Sequence, residues 1–118
     1  MKDRSKAMIV TAWNNGAHHA SGAGYGLKIG ARDRKHYFKK EWHYIVLELE
    51  ENVDPVIINI KKQSFWSKAC GELINIQIGQ WFKEKGIALW PRGFPPKLIL
   101  EPISGNRFRV KISDIKTP

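Results

Sequence analysis

Three sets of side chains in this chain have the types and spacing to do chemistry. The first is His18-His19, an adjacent pair inside the loop-like stretch Asn14–Gly26, NNGAHHASGAGYG. Imidazole titrates near neutrality, so either ring is a candidate general base if a cation elsewhere holds a phosphate. That chemistry would be metal-independent cleavage of RNA or another phosphodiester. No carboxylate or further histidine is placed by spacing to complete such a site. The second set is Arg107, Arg109 and Lys111. On a strand, alternate residues share a face, so these three cations would line up over roughly 13 Å at about 3.3 Å per residue. A row of that length can follow a phosphate backbone. The bland alternative is an edge strand guarded by charge against aggregation. The third set is Arg32, Arg34, Lys35, Lys39 and Lys40, with Lys61 and Lys62.

Glycines and asparagines shape the loop around the histidines. Asn14, Asn15, Gly22, Gly24 and Tyr25 are candidate ligand-loop residues, because glycine allows close approach of backbone to a ligand. Gly22-Ala23-Gly24-Tyr25-Gly26 is neither GxGxxG nor a Walker-type loop, and a strand is expected after it. The helix N-terminus that would favour a phosphate is therefore missing. Metal binding is not expected. Adjacent histidines rarely aim at one ion, and His36 and His43 complete no HxxxH or HExxH spacing. No cofactor is implied. Glu48, Glu50, Glu51 and Asp54 form an acidic patch that reads first as a solvated hairpin end.

The charge pattern directs these sites toward polyanions. The formal net charge is +9 over 118 residues. It divides into +7 over residues 1–40, −5 over 41–60 and +7 over 61–118. An uneven distribution of this kind steers a polyanion to one side of the molecule. Exposed aromatics among Trp13, Tyr25, Tyr37 and Trp90 could stack bases. Arg92, in Trp90-Pro91-Arg92-Gly93-Phe94-Pro95-Pro96, would stand beside such a platform. In that corner Trp90 and Phe94 are both expected to fold back onto the helix or the sheet.

The positioning elements follow from periodicity. One domain over residues 1–118 is expected from the length, with loose tails at 1–7 and 113–118. Strands are expected at Met8–Trp13, Tyr25–Ile29, Trp42–Glu50, Val56–Ile60, Lys97–Ile103 and Arg107–Ile112, from β-branched and aromatic content and alternation. In the third strand Ile45, Leu47 and Leu49 would point one way. A short helical turn over Arg34–Lys40, capped by Asp33, would carry basic residues. The main helix is expected near residues 64–85. There Trp66, Cys70, Leu73, Ile74, Ile78, Trp81 and Phe82 recur at steps of three, four and one. Ser64 would cap it and Gly86 would end it, with a possible break at Gly71-Glu72. Cys70 would be a buried, inert thiol on its apolar face.

These elements predict an α+β fold: a mostly antiparallel curled sheet or small partly open β-barrel of about six strands, with one main helix. The layout is similar in outline to small basic barrels that handle DNA and RNA, a likeness of fold and charge alone. A single cysteine and the lack of a long apolar run fit a cytoplasmic protein without a signal peptide or membrane span. The leading functional expectation is a DNA- or RNA-binding module. Its phosphate contacts would come from Arg32, Arg34, Lys35, Arg92, Arg107, Arg109 and Lys111. The alternatives are an RNase-like phosphodiesterase using His18 or His19, and a protein-interaction domain with an acidic protein partner.

Overall fold

The computed structural model describes residues 7–49 and 54–112. The tail residues 1–6 and 113–118, the acids Glu50 and Glu51, and the Asn52-Val53 half of the expected turn lie outside the described residues. Seven strands form one mixed, nearly closed barrel-like sheet. They are β1 (Met8–Asn14), β2 (Tyr25–Gly30), β3 (Tyr44–Glu48), β4 (Val56–Asn59), β5 (Cys70–Ile74), β6 (Lys97–Ser104) and β7 (Arg107–Ile112). Three short helices are interspersed: α1 (Ala31–Tyr37), α2 (Gln63–Ser67) and α3 (Ile76–Glu84).

Alternation closes the core. Met8, Val10 and Ala12 of β1, Leu27 and Ile29 of β2, Ile45 and Leu47 of β3, Leu98 and Leu100 of β6, and Phe108 and Val110 of β7 are all buried. Their neighbours face outward, as a two-residue period requires. The sheet order is β4-β3-β7-β6-β1-β2-β5. Strands consecutive in the chain pair antiparallel as β1–β2, β3–β4 and β6–β7, the first across the long Asn14–Tyr25 loop and the last across a tight turn. The pairing of β3 with β7 is parallel and joins segments far apart in sequence. On β4, Ile57 points outward between buried Val56 and Ile58 and is 65% exposed.

The expected helix over residues 64–85 is corrected. It is two helices separated by β5, which pairs antiparallel with β2 through Leu73↔Leu27 and Gly71↔Ile29. The helical spacing was a coincidence of apolar residues on both faces of a strand: on β5 Leu73 is buried, Cys70 is partly exposed and Ile74 is exposed, so these three do not share one face. Ser64 lies inside α2 rather than at its cap, which is Lys62. Asn75 starts α3 instead, its Oδ1 accepting from the Gln77 N–H at 2.8 Å. Gly86 does end the helix, at φ +73°. Its N–H donates to Lys83 O and the next N–H, of Ile87, to Phe82 O, the paired closure of a Schellman motif. Cys70 is on β5 and partly exposed, not on a helix's apolar face. Likewise α1 begins at Ala31 with Gly30 at its cap, so Asp33 lies in its first turn and caps nothing.

Helix α3 seals one part of the barrel with Ile78, Trp81 and Phe82. The loop after β1 rests directly on its backbone. A Cβ at Gly79 would lie 1.9 Å from Gly22 O. Alanine in a helix interior normally gains about 1 kcal/mol over glycine. Here that gain meets an overpacking cost of roughly 1–3 kcal/mol. Gly79→Ala is therefore expected to destabilise the fold by up to about 2 kcal/mol in urea titration, and to loosen the Gly22 loop. An increase in stability would show that the loop yields freely.

Candidate functional site

The sequence-expected residues fall into separate places. Asn14, Asn15, His18, Gly22, Gly24 and Tyr25 form one end. Asn14 Oδ1 accepts from the N–H groups of Gly16 and His18, and its Nδ2 donates to Gly24 O. These are Asx-type turns that order the loop locally. His18 adopts a left-handed backbone, φ 49°, and its Nδ1 lies 2.8 Å from the Tyr25 hydroxyl. Its ring meets Trp90 edge-on at 5.1 Å, and Trp90 in turn packs on Tyr25 and Phe82. Burial pushes the Tyr25 phenol's pKa up, which keeps it a neutral hydroxyl at ordinary pH. The site therefore has the geometry of a loop anchor. His19 is exposed, and among the described residues no carboxylate bonds to either histidine. Among the described residues no three His, Cys, Asp or Glu come together as a metal site.

Several expectations about exposure need correction. Tyr25 is fully buried and so is closed to base stacking. Trp90 is half-buried in the His18 cluster, whereas Phe94 is 74% exposed and does not fold back. Arg34 is buried, not available to phosphate: its Nη1 donates to Phe65 O at 2.8 Å and to Lys68 O at 2.9 Å. The β7 cations do share one outer face, but they are spent on acids. Arg107 donates to Glu48 Oε2 at 2.8 Å, Arg109 donates to Glu48 Oε1, and Lys111 stands 3.4 Å from Glu101. Arg92 is exposed in the Pro91–Phe94 turn.

The remaining basic residues converge at the other end of β2. Tyr25 opens that strand and Gly30 closes it, so α1 begins about 16 Å from the His18 loop at roughly 3.3 Å per residue. Here two adjoining hollows, of about 440 and 370 Å³, share Lys40 and Trp66. Lys35 and Phe38 help line the first; Lys61, Lys62 and Gln63 line the second. No acid lines either one. Lys35, Lys61 and Lys62 have no ion pair among the described residues. Arg32 is exposed one turn before Lys35, on the same side of α1.

Trp66 is the aromatic centre of this site, and sequence reading did not single it out because the helical periodicity assigned it to the core. It is half-buried. Its indole N–H donates to Ile60 O at 2.9 Å, and its ring meets Phe65 edge-on at 5.1 Å. Lys40 Nζ lies over the ring, 5.9 Å from its centroid. Such a contact is worth about 0.5–1 kcal/mol at an exposed site. The usable signal was Lys61-Lys62 four residues before an aromatic, at the end of a strand.

The chain matches no protein-family model, and no curated protein or solved structure is significantly similar to it.

Two outcomes test this description. Arg34→Met leaves two carbonyls without their donor and should cost about 2–3 kcal/mol of unfolding free energy, read by urea denaturation. An unchanged midpoint would mean that the clamp contributes nothing. Glu48 is held below its ordinary carboxyl pKa first by its hydrogen bond from Arg107, then by that from Arg109 and by both charges, against some desolvation. A lowered folded pKa contributes stability above the unfolded value of 4.5, and that stability is lost as pH falls through the folded value. Glu48→Gln should therefore be less stable than wild type at pH 7, and the gap should shrink by about pH 3.

Proposed function

We propose that this protein binds nucleic acid through the basic hollows between α1 and the β4–α2 connection. The observation that carries this reading is the set of lysines without an ion pair among the described residues, Lys35, Lys61 and Lys62, gathered around an aromatic ring in a concave site with no acid in its lining. Uncompensated cations in a concavity raise the local potential and draw in polyanions. Lysines that neutralise phosphates release condensed counterions, which makes the affinity strongly salt-dependent. Arg32 extends the same positive surface along α1.

The β7 row has a smaller part in this reading than its spacing suggests. A guanidinium already bonded to a carboxylate must give up that bond before it takes a phosphate. Arg107 and Arg109 share Glu48 in this way, which leaves the α1–α2 cations as the better donors.

The test is fluorescence anisotropy with labelled DNA and RNA across a salt series. Lys35→Gln/Lys61→Gln/Lys62→Gln should weaken binding at least about tenfold at low salt. It should also flatten the slope of log K against log salt by roughly two units, at about 0.7–0.9 per lost phosphate contact. Arg107→Ala/Arg109→Ala should change that slope by less than about one unit. If neither polymer binds at low salt, the reading fails, and an acidic protein becomes the partner to seek.

A further inference from the structure

We propose that Trp66 is a stacking platform for an unpaired base, covered by Lys40 in the free protein, so that the ligand of the α1–α2 hollows is single-stranded nucleic acid. This rests on reading the hollows as a nucleic-acid site and names the form of polymer they take.

Trp66 is built to hold one orientation. Its N–H is bonded to Ile60 O, and its edge is packed by Phe65. The helix that carries it is tied to α1 by the Arg34 bonds to Phe65 O and Lys68 O. A ring fixed in this way loses little freedom when a planar ligand settles on it. The ring is half-buried within the hollow rather than projecting from the surface. A duplex keeps the faces of its bases stacked inside the helix, so a recessed ring can reach a base face only where the base is unpaired.

The contact over the ring is already of the kind that a base would replace. Lys40 is exposed and lies over the indole, with no ion pair among the described residues. A base face against tryptophan is a stronger contact than an exposed ammonium, which remains well solvated. Displacement would free the Lys40 ammonium for a phosphate. Lys35 on one side, with Lys61 and Lys62 on the other, places cations where the phosphates flanking a stacked nucleotide would run. The volumes of the hollows fit single nucleotides rather than the width of a double helix.

The experiment compares three labelled probes of about twelve residues at one low salt concentration: a thymidine single strand, an abasic strand of equal charge, and a duplex. Wild type should bind the single strand at least about tenfold more tightly than the abasic strand or the duplex, the size expected for one to two stacked bases. Trp66→Leu should remove that preference while leaving abasic-strand binding within about twofold, and Trp66→Phe should keep most of it. Equal binding of all three probes by wild type overturns the platform but leaves the nucleic-acid reading standing on charge. A preference that survives Trp66→Leu overturns it by placing the stacked base elsewhere. No binding of any probe removes the reading on which the inference rests. Should Trp66→Leu fail to fold, a strand carrying 5-iodouracil is photocrosslinked to wild type. The crosslink is expected on the tryptic peptide Gln63–Lys68, and a crosslink confined to other peptides overturns the proposal.

Discussion

The Arg34 guanidinium holds together the part of this molecule where regular hydrogen bonding stops. Strands β4 and β5 are the two edges of the sheet and are not neighbours in its ladder. The chain crosses between them through α2, a helix too short to be stable by its own hydrogen bonds. Arg34 reaches from α1 to donate to Phe65 O and Lys68 O, and Trp66 donates to Ile60 O just past β4. A buried cation is tolerated only with hydrogen-bond partners, and the Phe65 and Lys68 carbonyls supply two to Nη1. The aromatic stack of Phe38 on Phe108 at 4.7 Å, with Phe65 against Phe38, fills the space beneath. The hollows lie over this clamp, so the candidate site depends on it.

The molecule sorts its positive charge into two kinds. On the barrel wall, Arg107 and Arg109 share Glu48 and Lys111 faces Glu101, so two carboxylates offset most of the charge of the three cations. Cross-strand pairs of this sort support sheet pairing. Around α1 and the start of α2, the lysines have no acid among the residues that line the hollows. A spacing argument treats both groups alike, because it sees the cations and not their partners.

The Asn14–Gly26 loop shows how a sequence that looks loose can be ordered by contacts. Its asparagines fold the backbone into local turns, Gly22 lies on the backbone of α3, and His18 is packed among Tyr25 and Trp90. A loop with so many glycines and small residues invites a ligand-binding reading, yet each of these contacts also suffices to anchor it.

The amino-acid sequence by itself determined the α+β class, the β3–β4 hairpin, the turn between β6 and β7, the inward faces of the strands and the end of α3 at Gly86. Each of these depends on neighbours within a few residues: alternation selects a face, a short turn selects antiparallel pairing, and glycine selects a left-handed cap. Tertiary structure decided that Cys70–Ile74 is a strand, since only the edge of β2 distinguishes it from a helix continuing at the same apolar spacing. It decided that β3 runs parallel to β7, a pairing with no local signal. It also decided which cations are free. Arg34 is drawn inward by two carbonyls 31 and 34 residues away, Arg107 and Arg109 by a carboxylate some 60 residues away, while Lys35, Lys61 and Lys62 meet no acid at all in the hollows they line. Partners at such separations are set by the packing of the whole sheet, and no pattern in the chain records them.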